Sequence, residues 1–156
     1  MRELTMNFDT LIEAVQSASW KGFLRQRPVF NAYGTVSPDQ LDVVERKIGV
    51  AMPIDLRRWL LTLGYGDIDE ELSFREEWFS AMESGQLKGG ALFAQDALGN
   101  FYGFDPCDRI YFFSRSQTVF SAVSESFPEF IEKLLRRDYD LTGWVDTLAT
   151  QEYEWE

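Results

Sequence analysis

The chain has 156 residues, 45% hydrophobic and 26% charged, which supplies one core of ordinary size and leaves little length for a second. That apolar fraction excludes a disordered chain, and five prolines and eleven glycines exclude collagen-like or low-complexity architectures. Fifteen Lys and Arg against 26 Asp and Glu give a formal charge of −11 with no histidine, which argues against direct nucleic-acid binding and removes His triads, imidazole metal ligands and imidazole proton shuttles.

In chain order, Met1 to Asn7 carries an early acid, Glu3, and no apolar run of signal-peptide length. Phe8, Leu11, Ile12 and Val15 then recur at helical spacing behind Asn7 or Asp9, predicting an amphipathic helix over 8–18. Ser19 to Thr35 holds Trp20, Gly22, Pro28 and Gly34 without a sustained period and reads as a long connection with room for one short strand. Ser37 and Gln40 form a capping-box pattern with Pro38 at the first helical position. The helix they open carries Leu41, Val44 and Ile48 on one face and stops at Gly49. Pro53 opens a second helix, striped by Leu56, Trp59, Leu60 and Leu63 and closed by Gly64.

An acidic loop is expected next, with Asp67, Asp69, Glu70, Glu71, Glu76 and Glu77 opposed only by Arg75. From Gly89 the pattern is a meander of short antiparallel strands at Ala91 to Gln95, Phe101 to Asp105, Arg109 to Phe113 and Thr118 to Val123. Ser126 and Glu129 form a second capping-box pattern ahead of a helix striped by Phe127, Phe130, Ile131, Leu134 and Leu135. The acidic tail from Asp138 has Leu141, Trp144, Val145 and Leu148 to anchor it. No stretch approaches the ~20 apolar residues of a membrane span. The lone Cys107 can close no intramolecular disulfide, so a reducing, cytoplasmic setting is expected.

Three stretches resemble the SUKH superfamily, which contains immunity proteins and yeast cell-wall regulators of the Smi and Knr type. They are VSPDQLDVVERKIGVAMPIDLRRWLLTLGYG from Val36 to Gly66, ALFAQDALGNFYGFD from Ala91 to Asp105, and SFPEFIEKLL from Ser126 to Leu135. Where such proteins usually read Asn-Gly-Gly after the second helix, this chain has Gly64-Tyr65-Gly66, and nothing after Tyr139 matches. The resemblance implies an α+β fold, a mostly antiparallel sheet with helices packed on one side. It further implies one domain over 1–156, with 36–135 matched and 136–156 an acidic extension. The implied activity is binding and not catalysis: neutralisation of a cognate bacterial toxin, a nuclease for example, or regulation of an endogenous partner. A carboxylate-based hydrolase is a third reading. The matching positions Pro53, Trp59, Gly99, Asn100 and Phe127 are explained by capping, packing and turn geometry, so the pattern carries over no catalytic residue.

Residues 64–84 hold seven acids and one base, and 141–156 hold four acids and no base, so −10 of the −11 sits in two segments. With the resemblance, this concentration selects a toxin with a basic surface as the expected partner and neither nucleic acid nor membrane. The candidate contact residues are Asp67, Asp69, Glu70, Glu71, Glu76 and Glu77 with Trp78 beside them, and Tyr153 and Trp155 in a tail with little core to enter. A merely solvating acidic face is the plainer alternative. Asp96, Asn100, Asp105 and Asp108 lack the bidentate Glu of a calcium loop and read as turn residues. Pairs such as Asp69 with Glu76 or Glu77 arise by chance among 26 acids, and Cys107 lies beside an acid that disfavours its thiolate. No catalytic, metal or cofactor residue is assigned.

Overall fold

The structure is a computed structural model that describes residues 7–21 and 26–155. Met1 to Met6, read above as lacking a signal segment, and Gly22 of the expected connection lie outside them. Among the described residues five helices form on apolar stripes, four of them behind a side-chain N-cap. α1 (Phe8–Ser17) starts at Asn7, whose Oδ1 accepts from Thr10 N at 2.9 Å. α2 (Pro38–Ile48) opens on the reciprocal Ser37–Gln40 box and ends at Gly49, and α3 (Ile54–Leu63) follows Pro53. α4 (Phe127–Arg136) forms only half of its expected box: Ser126 Oγ accepts from Glu129 N at 3.2 Å, while the Glu129 carboxylate pairs with Lys133 Nζ at 2.8 Å. A short α5 (Leu141–Val145) buries Leu141, Trp144 and Val145.

The strands are β1 (Ser19–Lys21), β2 (Gln26–Pro28), β3 (Phe30–Gly34), β4 (Tyr65–Ile68), β5 (Leu72–Phe74), β6 (Ser80–Ala81), β7 (Ala91–Asp96), β8 (Phe101–Phe104), β9 (Ile110–Phe113), β10 (Val119–Ser124) and β11 (Gln151–Glu152). β1 and β2 form a separate hairpin, and the main sheet runs β11-β10-β9-β8-β7-β5-β4-β3 with every pairing antiparallel. Two expectations are corrected here. The stretch from Ser19 to Thr35 holds three strands instead of at most one, and the acidic loop is a hairpin, β4 and β5. Both depend on distant partners, β3 on β4 and β5 on β7, which local sequence does not display.

The hairpins β7–β8 and β8–β9 turn on the same device. Asp96 accepts from Leu98 N, Asn100 N and Tyr102 Oη at 2.9–3.0 Å, and Asp105 accepts from Cys107 N, Arg109 N and Tyr111 Oη at 2.9–3.1 Å. An aspartate thus bonds the backbone two and four residues on and a tyrosine six residues on, which closes the turn and satisfies the buried carboxylate.

All five helices contribute to the core on one face of the sheet. The opposite, outer face is covered only in part, by a small cluster of Met82, Leu87, Tyr111, Phe113, Phe120 and Tyr153. β9 shows why both clusters exist: Ile110 and Phe112 join the helical core while Tyr111 and Phe113 join the outer one. Leu134 on α4 is 0% exposed within the main core. Leu134→Ala should therefore cost about 2–5 kcal/mol of stability, read as a shifted midpoint in denaturant unfolding with an unchanged slope.

Candidate functional site

The β4–β5 hairpin closes through Glu71 N–H donating to Ile68 O at 2.8 Å, with Asp69 (φ 48°) and Glu70 (φ 63°) both left-handed at its tip. Side chains pay roughly 1–2 kcal/mol per residue to stand in that region, and glycine does not. Asp69 is held by Trp20 Nε1 at 2.7 Å and by Arg27 at 3.3 Å. Among the described residues Glu70 has only Arg27 at 3.8 Å, with 80% of its side chain exposed. Glu71 is half-buried, and its Oε2 has no hydrogen-bond partner among the described residues. Burial pushes its carboxyl above the ordinary glutamate value, the Asp140, Asp69 and Asp96 charges add to that, and a hydrogen bond from Thr142 N–H opposes it.

Asp67 turns to the outer face and accepts hydrogen bonds from Tyr33 and Ser73. The Arg75 guanidinium lies over the Tyr33 ring at 4.8 Å and the Trp78 ring at 5.2 Å, so half-exposed Trp78 is stacked on a cation while its neighbour Phe79 is buried. Glu76 and Glu77 sit on a one-turn 3₁₀ helix, Glu76–Trp78, and both are exposed. Burial pushes the Tyr65 hydroxyl up to about 12, aided by the charges of Glu76 and Glu77. The acidic segment is therefore divided: Asp67 and Asp69 serve internal partners, while Glu70, Glu76 and Glu77 face solvent.

Tyr153 and Trp155 lie elsewhere. The expectation that the tail finds no core is corrected for Tyr153, which is 4% exposed. The tail adds β11 to β10, and the Tyr153 ring packs on Phe120 and Phe113 at 5.3 and 5.5 Å. Its hydroxyl donates to Ser84 O at 2.7 Å and accepts from Leu87 N at 3.2 Å. Gly85 permits this closeness, since any Cβ there would strike the Tyr153 ring. Trp155 remains 51% exposed beside Tyr153, and the two form one wall of a pocket of about 360 Å³ on the outer face, floored by Leu92, Phe101 and Phe113.

Register places the two regions on the same surface. Asn31, Asp67, Ser73, Gln95, Phe101, Phe113 and Phe120 follow one another as cross-strand partners from β3 to β10, polar at the acidic end and aromatic at the tail end. Sequence reasoning missed the partners Trp20, Arg27 and Tyr33, which leave no local signal. It also missed the pocket, although one signal existed: Ile110-Tyr111-Phe112-Phe113 is apolar without alternation, the mark of a strand covered on both faces.

Among the described residues no group of three or more Cys, Asp and Glu could hold a metal ion, and no helix is long and apolar enough to cross a membrane. The fold is thus an α+β scaffold, with helices on one side of an antiparallel sheet and a partly open sheet face on the other. The chain matches the SMI1 / KNR4 family (SUKH-1) over residues 35–133, well over half its length, and belongs to that family. Membership fits immunity or regulatory roles exercised through protein contacts. No curated protein and no solved structure matches the chain significantly.

Replacing Glu70 by glycine relieves a left-handed side chain, so Glu70→Gly should stabilise the chain by up to about 1 kcal/mol, measured by denaturant unfolding. Glu71 carries a pH effect of defined sign. Its folded value lies above the unfolded one, so native stability falls as pH rises from the ordinary glutamate range through the raised value. Glu71→Gln should accordingly raise Tm at pH 7, and the gain should disappear below about pH 4.

Proposed function

We propose that the chain is an immunity-type binding protein, not an enzyme, that acts in the cytoplasm and neutralises a cognate bacterial toxin by direct contact. The observation that carries this reading is the strained β4–β5 turn, which holds an exposed glutamate at the rim of the sheet where glycine would cost less. Glu76 and Glu77 extend the negative surface, and Trp78 beside them supplies aromatic area of the kind that anchors interfaces. A toxin that grips phosphate backbones presents basic surface, and an anionic rim would steer its capture. The non-enzymatic part is supported by the absence of histidine and by the service of Asp67 and Asp69 as internal acceptors. The exposed Cys107 thiol supports the cytoplasmic part.

The test takes as partner a toxin domain captured by a tagged copy of this chain and measures association at two salt concentrations; capture of no toxin domain overturns the reading. Glu70, Glu76 and Glu77 are reversed together to Lys, leaving Asp67 and Asp69 in their hydrogen bonds. Association should slow by roughly tenfold or more at low salt and lose much of its ionic-strength dependence, with Tm little changed. Reversal of exposed Glu13 on α1 should leave the rate as it was. A triple variant that associates as fast as the parent chain reduces the acidic rim to a solubilising face.

A further inference from the structure

We propose that the outer-face pocket is a binding site for an amphipathic anion, a medium-chain fatty carboxylate. The site is independent of the acidic rim and does not rest on the reading of a protein partner. Its volume of about 360 Å³ lies within the range of small-ligand sites. Leu92, Phe101 and Phe113 form the floor, and Tyr153 and Trp155 close one side, which suits a flexible hydrocarbon body.

The rim supplies the head-group chemistry. Arg115 lines the pocket and makes no ion pair among the described residues. Two contacts place it. Its backbone N–H donates to Asn100 Oδ1 at 2.9 Å, and its side chain lies over Gly99, where an added Cβ would stand 2.9 Å from its Cδ and Nη1. The Gly99-Asn100 turn thus seats the side chain of Arg115, one of the residues that line the cavity. On a chain of charge −11 an anion is repelled over most of the surface, so a guanidinium with no ion pair among the described residues decides where the head group settles. The Tyr153 part of the wall is fixed in advance by its hydroxyl bonds to Ser84 and Leu87, so binding need not order that ring.

The experiment titrates sodium decanoate, below its micelle concentration, and 1-decanol into the full chain and follows amide and indole signals by NMR. Decanoate should bind saturably and one to one, with shifts at Phe101, Phe113, Thr118 and the Trp155 indole. Decanol, which lacks the charge, should bind about tenfold more weakly. Arg115→Met should weaken decanoate by about tenfold and leave decanol unchanged. Leu92→Trp should fill the cavity and abolish both. Trp155→Ala, at an exposed position that folding tolerates, should weaken both alike and serves if the larger substitution fails to fold. Unsaturable binding, shifts away from the pocket, or equal affinity for acid and alcohol would each overturn the proposal, and none of them bears on the salt-dependent association test.

Discussion

Trp59 is the side chain on which the remaining order depends. From α3 its indole meets Phe127 of α4 at 5.7 Å, Phe74 of β5 at 5.8 Å, Phe30 of β3 at 5.9 Å and Phe8 of α1 at 6.5 Å, so three helices and two strands converge on one ring system. Such pairs contribute about 0.5–1.5 kcal/mol each beyond the area they bury. Its Nε1–H has no partner among the described residues, so within them the indole contributes area and shape and not a hydrogen bond. β4 lies between β3 and β5, the two strands pinned by this contact, which makes the position of the acidic turn a consequence of helix packing on the other side of the sheet.

The outer face has a different logic. Its middle row changes from amide, carboxylate and hydroxyl at Asn31, Asp67 and Ser73 to aromatic rings at Phe101, Phe113 and Phe120. A sheet face with one half polar can meet water directly, whereas the aromatic half requires a cover. The tail provides that cover incompletely: Tyr153 packs on Phe113 and Phe120, and the space left in front of Leu92, Phe101 and Phe113 is the pocket. The C-terminal extension, which matches nothing in the family pattern, is thus a structural part of the sheet through β11 and of the cavity through Trp155.

Features written into short stretches were legible in advance. Ser37 with Gln40, Pro53 and the apolar stripes of α2, α3 and α4 delimit their helices because caps and 3.6-residue spacing act within one turn. Gly99-Asn100 marks the β7–β8 turn for a similar reason. What the residues alone did not show is long-range. Nothing near Asp69 announces that Trp20 and Arg27 will hold it, and nothing near Tyr153 announces Ser84 and Leu87. The acidic composition of 67–77 suggested a solvated loop, yet Ile68, Leu72 and Phe74 alternate with Asp67 and Ser73 as a half-buried hairpin requires. Charge count concealed a strand pattern that was present.

That alternation also explains how an acidic segment can present a defined surface. A one-residue slip of β4 against its neighbours would exchange Ile68 with Asp67, sending a carboxylate toward Trp59 and Phe74 and an isoleucine outward. Burying an unpaired carboxylate costs several kcal/mol, so the charge itself opposes the slipped pairing, and the hydrogen bonds from Tyr33 on β3 and Ser73 on β5 favour the observed one. With register set on both sides, the turn has little freedom in where it falls. Asp69, tied to Trp20 and Arg27 of the β1–β2 hairpin, removes more of it. Glu70 is left as the residue at the tip with no commitment among the described residues except a 3.8 Å approach to Arg27, a charge held at a fixed place by two neighbouring aspartates that are themselves withdrawn from solvent.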